Sequence, residues 1–168
     1  QPISNRALAA NWADIRPYID MVDAELIANS EETLTYFEAL TVLAFAAFAD
    51  APIDVAVIEV GMGGEWDSTN VGDGQVAVFT PIALDHTQRL GSTVAEIART
   101  KAGIIKPVAS VVSAVQSSDA LAELERQALA RLIAQLGPLP PISDLSIKEV
   151  LEAVRRDKKV VHGRLHFV

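Results

Sequence analysis

Three polar residues in the middle of the chain each follow an apolar or helical pattern. Glu59 lies at the end of the run Asp54–Val60, DVAVIEV, and His86 follows the run Gln75–Leu84, QVAVFTPIAL. Lys101 comes at the close of a helical pattern further along. A carboxylate and an imidazole are both suited to a metal ion. Because ligands of parallel sheets bind beyond the carboxyl ends of the strands, these positions predict a site at one edge of a sheet.

Buried parallel strands are the elements needed to position these residues. Continuous runs of valine, isoleucine and alanine that end in glycine or aspartate are typical of strands buried on both faces. The sequence predicts such strands at Val55–Val60, Val76–Thr80 and Ser110–Val115, with helical patterns between them. The predicted fold class is α/β, a mainly parallel sheet flanked by helices, with a short α/β segment at the carboxyl end.

Three helices are predicted before the first of these strands. Arg6–Ile15 and Tyr18–Ala28 are expected to be separate helices, because Pro17 favours the first turn of a new one. The third helix, Thr35–Ala49, begins with a threonine and Glu38 at capping-box spacing. It is apolar nearly all round, so we expect it to be buried.

Later helical patterns separate and follow the remaining strands. Helices are predicted over Ser92–Thr100 and Ala120–Leu136, and the second is stopped by a Gly-Pro pair. A short helix over Ile147–Arg155 and a strand over Arg164–Val168 are predicted to complete the chain.

Composition excludes several classes of protein. Half of the 168 residues are apolar and 21% are charged, which is typical of a globular chain. The absence of cysteine excludes disulfides and thiolate metal sites and favours a cytoplasmic location. The longest apolar run, Leu40–Ala49, is too short to span a bilayer, so no membrane association is expected. Residues 1–60 carry ten acids and two bases, which argues against nucleic-acid binding.

Three linked motifs point to a known family. They read VIEVGMGG-x-x-D-x-TN, PIALDHT-x-x-LG and EIA-x-x-KAGIIKP, in that order. Together they resemble the central domain of folylpolyglutamate synthase/dihydrofolate synthase, an ATP-dependent amide ligase of the Mur ligase superfamily. The resemblance covers about residues 1–126 and implies a Mur-ligase-like sheet.

The resemblance also implies roles for individual residues. Glu59 and His86 would bind magnesium, and a carbamylated Lys101 would be catalytic and help to hold a second magnesium. Asp67 and Asn70 match the family pattern and are candidate substrate-binding residues. The implied reaction uses ATP to phosphorylate a folate carboxylate, and the amine of glutamate then attacks the acyl phosphate.

The sequence departs from that family in ways that bear on activity. Glu65 stands where the family has arginine, Gln88 where it has aspartate, and Thr100 where it has glutamate. An anion beside a phosphate-handling site would repel the substrate. The glycines of GMGG do not form a phosphate loop, and no G-x-x-x-x-G-K-[ST] motif occurs in the sequence. We therefore expect an inactive ligase fragment that by itself binds neither magnesium nor ATP.

The last part of the chain has a different character. Residues 136–168, LGPLPPISDLSIKEVLEAVRRDKKVVHGRLHFV, are similar to the carboxyl-terminal segment of 3-dehydroquinate synthase. In that family a lysine of the DKK segment reaches the substrate phosphate, so Lys158 or Lys159 would bind phosphate. The expected organisation is a partial Mur-ligase-type domain over 1–130, joined in a chimera to a dehydroquinate-synthase-like segment over 131–168.

Other functions fit the same residues. Taken singly, Glu59 could be a solvated strand end, His86 a turn residue and Lys101 a partner of the helix dipole. One alternative is a structural protein that self-associates as a homo-oligomer, because a sheet without its phosphate-loop strand exposes an edge. The other alternative is a small metal- or phosphate-binding module. Folate and glutamate enter as partners only through the resemblance.

Overall fold

The computed structural model describes residues 2–107, 109–136 and 166–167. The chain divides into two compact units, Gln1–Glu59 and Val60–Val168. We call them unit 1 and unit 2 and describe each by itself.

Unit 1 is built from two helices, α1 (Asn5–Ala28) and α2 (Tyr36–Asp50). Ser4 caps α1 by accepting a hydrogen bond from the Ala7 N–H. The capping box of α2 is also confirmed: the Thr35 hydroxyl accepts from the Glu38 N–H, and the Glu38 carboxylate accepts from the Thr35 N–H. The two helices contact each other through a small core centred on three buried side chains: Ile15, Ile19 and Leu43.

The predicted break at Pro17 is wrong. Pro17 lies inside α1, which runs without interruption past it. A proline in a helix interior removes one hydrogen bond and costs about 3 kcal/mol. Ile15 and Ile19, one on each side of the proline, both belong to the same core. Packing of this continuous stripe favours the unbroken helix over the local preference of proline.

The expectation that α2 is buried is also wrong. Within α2 only Thr41 and Leu43 are buried, whereas Tyr36, Phe37 and Val42 are exposed. One helix cannot cover another on all sides, so α1 shields a single stripe of α2.

The predicted strand Val55–Val60 is not present. This segment has no regular secondary structure, and Val55 and Val57 are exposed, at 78% and 89%. A strand needs a neighbour to pair its backbone groups, and the described residues provide none for this segment. Its apolar composition alone therefore does not make it a strand.

Unit 2 contains the sheet. Its strands are β1 (Val76–Phe79), β2 (Ser110–Ser113) and β3 (His166–Phe167), in the order β1-β2-β3 with both pairings parallel. In β1 and β2, Val76 lies beside Ser110 and Phe79 beside Ser113. The parallel sheet confirms the predicted α/β class, and β1 and β2 lie within the strands predicted there.

Three helices accompany this sheet: α3 (Thr87–Leu90), α4 (Val94–Lys101) and α5 (Ser118–Leu136). The helix predicted from Ser92 starts two residues later, because Thr93 and Glu96 form a capping box. Short 3-10 turns occupy Ser68–Val71 and Ala102–Ile104.

The core of unit 2 lies on one face of β1 and β2. Ala77 and Phe79 point into it from β1, where they meet Ile97 and Ala98 of α4 and Leu124 of α5. The alternate residues of β1 point to the opposite face and are exposed, with Val76 at 55% and Val78 at 61%. In the described residues the sheet is therefore covered on one face, not on both as the sequence predicts.

A charged cluster joins the two helices that cover the sheet. Glu123 of α5 is buried and accepts hydrogen bonds from Arg99 of α4 at 3.0 Å and from Arg126 at 2.9 Å. The bond to Arg126 has the largest effect and, together with those from Gln127 and Arg99, lowers the pKa of Glu123 to about 2 despite its burial. The ion pair thus ties α4 to α5 over the core.

The carboxyl-terminal predictions fall mostly outside the described residues. The predicted helix Ile147–Arg155 lies there, whereas the predicted strand Arg164–Val168 includes β3. The predicted domain boundary near residue 130 falls within α5 and stays a prediction. No described helix has the length and hydrophobicity needed to cross a membrane.

Candidate functional site

Lys101 is the last residue of α4, and the chain passes directly from it into the 3-10 turn Ala102–Ile104. Its side chain is half-buried. Two buried neighbours, Ala98 before it and Ala102 after it, anchor both sides of the lysine in the core of unit 2. The backbone at Lys101 is therefore fixed by packing.

The glycine-rich turn Gly61–Gly64 packs against the turn that follows Lys101. A Cβ atom on Gly64 would lie 2.6 Å from the carbonyl oxygens of both Thr100 and Lys101. A Cβ atom on Gly103 would lie 2.5 Å or less from three atoms of Glu65. Only glycine allows such an approach of two backbones. We call this contact the glycine–lysine junction.

Two of the GMGG glycines have distinct structural roles. Gly63 has φ +81°, in the left-handed region that glycine adopts without strain. Gly64 has a different role, because what excludes a side chain there is the neighbouring backbone at Lys101.

Asp67 organises the loop after the glycines. One carboxylate oxygen accepts from the Met62 N–H at 2.8 Å, and the other accepts from the N–H and hydroxyl of Thr69. Burial raises the pKa of Asp67, but these bonds and one from Gly61 outweigh it, so the pKa is lower than usual. The carboxylate is thus charged and fully engaged within its own loop.

Asn70 connects this loop to the lysine turn. Its side-chain N–H₂ donates to the carbonyl oxygens of Glu65 at 3.0 Å and Gly103 at 3.2 Å. Its backbone carbonyl accepts from the Lys106 ammonium at 2.6 Å. The roles of Asp67 and Asn70 in substrate binding stay predictions, and the contacts observed for both are internal to unit 2.

His86 lies beyond β1, at the start of α3. Its backbone is left-handed, with φ +48° and ψ +39°, which is uncommon for a residue other than glycine. The imidazole is half-exposed and its Nε2 lies 3.6 Å from a carboxylate oxygen of Asp85. Strained backbone of this kind is found at functional sites, where the surrounding structure holds it in place.

Glu59 is the last residue of unit 1, whereas His86 and Lys101 belong to unit 2. Its side chain is exposed and it follows the irregular segment rather than a strand. The predicted convergence of Glu59, His86 and Lys101 at one sheet edge therefore stays a prediction.

The protein donors fit magnesium only in part. Magnesium prefers oxygen ligands. Glu59 offers a carboxylate, His86 offers nitrogen, and Lys101 would offer oxygen only after carbamylation. Across the described residues, no group of three histidine, cysteine or acidic side chains is placed to hold a metal ion. Within residues 2–107, 109–136 and 166–167, the side chains therefore do not form a complete magnesium site.

Sequence reasoning missed the features that fix the site. It did not foresee that Gly103 meets Glu65, that Asn70 bridges two segments, or that Arg99 binds Glu123. The two small residues that follow Lys101, Ala102 and Gly103, do indicate that another segment packs closely there. Nothing in the sequence names the partner segment, because 33 positions separate Asn70 from Gly103.

The sequence profile described as the Mur ligase middle domain matches residues 8–135, most of the chain. The chain belongs to the Mur ligase middle-domain family. The matched region contains α2 to α4, β1 and β2, and all of α1 and α5 except their outer ends.

Among the curated relatives of this Mur ligase middle domain, the dihydrofolate synthase/folylpolyglutamate synthase of Mycobacterium tuberculosis is 50% identical over 108 residues. That match covers 62% of this chain and 22% of the relative. The folylpolyglutamate synthase of Lacticaseibacillus casei is 41% identical over 122 residues, covering 73% of this chain and 28% of the relative. The chain thus matches about a quarter of the length of these relatives.

Solved structures agree with these matches. The M. tuberculosis folylpolyglutamate synthase complexed with ADP and AMPPCP superposes with a TM-score of 0.71 at 43% identity, covering 78% of this chain and 30% of that one. The apo form of the L. casei enzyme gives 0.70 at 38% identity, covering 78% and 31%. These likenesses confirm the resemblance inferred from the three motifs and the predicted Mur-ligase-like fold.

Proposed function

We propose that the chain carries part of the phosphate-handling site of an ATP-dependent folate–glutamate ligase, with Lys101 and His86 in unit 2 and Glu59 at the end of unit 1. The observation that carries this proposal is the glycine–lysine junction. There the family's glycine and lysine motifs, far apart in sequence, pack together and fix the backbone of Lys101. A relative at 43% identity forms a complex with ADP and AMPPCP, which supports ATP as the ligand of the complete site.

Lys101 has a specific chemical role in this proposal. Its neutral amine attacks carbon dioxide, so that a nitrogen–carbon bond forms while one C=O π bond opens onto oxygen. The nitrogen then releases a proton to solvent water, which leaves a carbamate. The cationic side chain thereby becomes an anion that can offer oxygen to magnesium. When bound, magnesium would neutralise phosphate charge, with Glu59 and His86 as further ligands and other oxygens from outside this chain.

The chain by itself is proposed to be folded but unable to catalyse ligation. Glu59 is exposed, and the magnesium donors are incomplete within the described residues. The backbone and Cβ of Glu65 lie at the glycine–lysine junction, so this residue brings an acidic side chain to the neighbourhood of the proposed phosphate site. A charge of that sign opposes the binding of polyphosphate.

Calorimetric titration with AMPPCP and magnesium, combined with an assay for ATP-dependent addition of glutamate to a folate, tests this proposal. We expect no glutamate addition by the purified chain. Activity that is lost in Glu59→Gln would overturn the proposed inactivity. Nucleotide binding without activity would instead support the alternative of a small phosphate-binding module.

A second candidate function is self-association with another copy of the chain. Gln75, just before β1, and Phe79, at its end, direct their carbonyls to the β2 side. Because the direction alternates along a strand, the backbone groups of Val76 and Val78 face the other edge. No described strand pairs with that edge. β1 carries no charged residue that would discourage pairing. A two-fold axis would let this edge pair with the same edge of a second copy.

Sedimentation over a range of concentrations tests this homo-oligomer. Wild-type chain should dimerise, and Val78→Lys should dissociate the dimer by placing a charge on the exposed face beside the edge. A wild-type monomer at the highest soluble concentration would contradict self-association.

We also propose that residues 136–168 derive from a 3-dehydroquinate-synthase-like carboxyl terminus, which would make the chain a chimera. The support is the sequence pattern that ends in DKK and a glycine before the final strand. Lys158 and Lys159 lie outside the described residues, and one of them would contact phosphate. Replacing each lysine by alanine in separate variants and titrating inorganic phosphate would identify it.

A further inference from the structure

The glycine–lysine junction needs a tie other than its own backbone bonds. The N–H of Glu65 donates to the carbonyl of Thr100, but the bond is long, at 3.3 Å. Gly64 and Gly103 leave room for the two backbones to approach but contribute no side chain that could hold them together. The approach therefore depends on groups that reach across it.

The side chain of Asn70 reaches across the junction. Its single N–H₂ group donates to one carbonyl on each segment, Glu65 on the glycine side and Gly103 on the lysine side. An amide nitrogen has two hydrogens, so one asparagine can satisfy both carbonyls at once. Both acceptors are main-chain atoms, so the tie fixes the backbone on either side.

Asn70 is itself held in place from two directions. Its backbone N–H donates to the Asp67 carbonyl at 2.9 Å within the 3-10 turn, and its carbonyl accepts from Lys106. The Asp67 carboxylate in turn holds the N–H of Met62, next to the glycines. The amide is thus presented to the junction by a preformed loop.

We propose that Asn70 is a positioning residue for Lys101, because its side-chain amide ties the glycine-rich turn to the turn that directly follows the lysine. This inference rests on the proposed function, in which Lys101 is the reactive lysine. It assigns Asn70 a role through the lysine backbone, without direct contact with substrate.

Asn70→Asp is the sharpest variant, because aspartate has nearly the same shape. An ionised carboxylate has no hydrogen to donate and would place a negative charge against two carbonyl oxygens. Asn70→Ser removes the bridge without adding charge and serves as the second variant. Asn5→Asp, on an exposed residue of unit 1, is the matched control for the change in charge.

Two measurements on the full chain separate positioning from general stability. Amide hydrogen exchange follows the Glu65 N–H, with the Val112 amide of β2 as a reference for global opening. Trace acetylation across a pH series follows the reactivity of Lys101 relative to the other lysines. With Asn70→Asp or Asn70→Ser, Glu65 should exchange about tenfold faster, Val112 should be unchanged, and the pH profile of Lys101 acetylation should shift. Asn5→Asp should leave all three as in wild type.

Unchanged Glu65 exchange in both variants would overturn the tie. Faster exchange with an unchanged Lys101 profile would reduce Asn70 to a purely structural residue and overturn the positioning role. Carbamate formation at Lys101, followed by NMR with ¹³C-labelled carbon dioxide, tests the proposed function separately. Absence of that signal in wild type would remove the role of Lys101 while the acetylation data still decide the role of Asn70.

Discussion

Two segments of similar composition adopt different structures in this chain. Asp54–Glu59 and β1 are both short and rich in valine and alanine. The first ends in Glu59, and His86 follows the second. The first is irregular and exposed, whereas β1 is a strand whose Ala77 and Phe79 are buried. The difference lies in their neighbours, since β1 pairs with β2 and is covered by α4 and α5.

A sequence with a high tendency to form a strand does not become a strand unless a neighbouring segment pairs with it. β-propensity measures how well a side chain fits a pleated, half-buried surface, so it has an effect only where such a surface exists. The segment that carries Glu59 lacks that surface in the described residues. The segments that carry His86 and Lys101 are attached to one.

The largest expected effect comes from truncating one apolar side chain in each of the two segments. Phe79→Ala should lower the free energy of unfolding by about 3–5 kcal/mol, because Phe79 is only 4% exposed in the core of unit 2. Val57→Ala should change it by less than about 0.5 kcal/mol. Urea unfolding of both variants gives the two values. A similar cost for both would mean that Asp54–Glu59 is packed in solution.

The glycine–lysine junction provides the next test. Gly103→Ala should cost about 1–3 kcal/mol, because the new methyl group would collide with the backbone of Glu65. Gly74→Ala is the matched control, since the nearest atom to its Cβ would be 3.7 Å away. Its unfolding free energy should stay close to wild type. Should Gly103→Ala be equally harmless, the close packing at Lys101 is absent.

Acid should lower the free energy of unfolding over a defined pH range, because it protonates Glu123, which connects α4 to α5 over β1. The folded-state pKa of Glu123 is about 2, below its unfolded value of 4.5. Its contribution is therefore complete above pH 4.5 and is lost as pH falls toward 2. Glu123→Gln should cost about 2 kcal/mol at neutral pH, and the difference from wild type should shrink across that range.

Glu125→Gln makes the same charge change on an exposed residue of the same helix and is the control for Glu123. Its unfolding free energy should remain close to that of wild type at neutral pH. A pH-independent difference between Glu123→Gln and wild type would show that the carboxylate is not the source of the stability.

The smallest expected effect is at His86, in the chain that leads away from β1. His86→Gly should raise the unfolding free energy by up to about 1 kcal/mol, because glycine adopts the left-handed conformation without strain. The imidazole would be lost at the same time. Thermal unfolding gives the sign, and His86→Ala is the control that keeps the strain. Destabilisation by glycine relative to alanine would contradict a strained backbone.

The sequence by itself determined the elements whose signals are local. The capping box at Thr35 depends on residues three apart, and the central parts of β1, β2 and α5 follow from local patterns of apolar residues. The motifs around Glu59, His86 and Lys101 were sufficient to identify the family, because three patterns in a fixed order rarely coincide. None of these inferences needs a distant partner.

Only the tertiary structure decided what depends on contacts between distant segments. The helix α1 continues through Pro17 because Ile15 and Ile19, on either side of it, pack into the same core. The tertiary structure also left Asp54–Glu59 without a partner strand among the described residues, and it brought Asn70 to Gly103. Local pattern does not specify such contacts, because the free energy of burial and hydrogen bonding depends on the surface supplied by the partner segment.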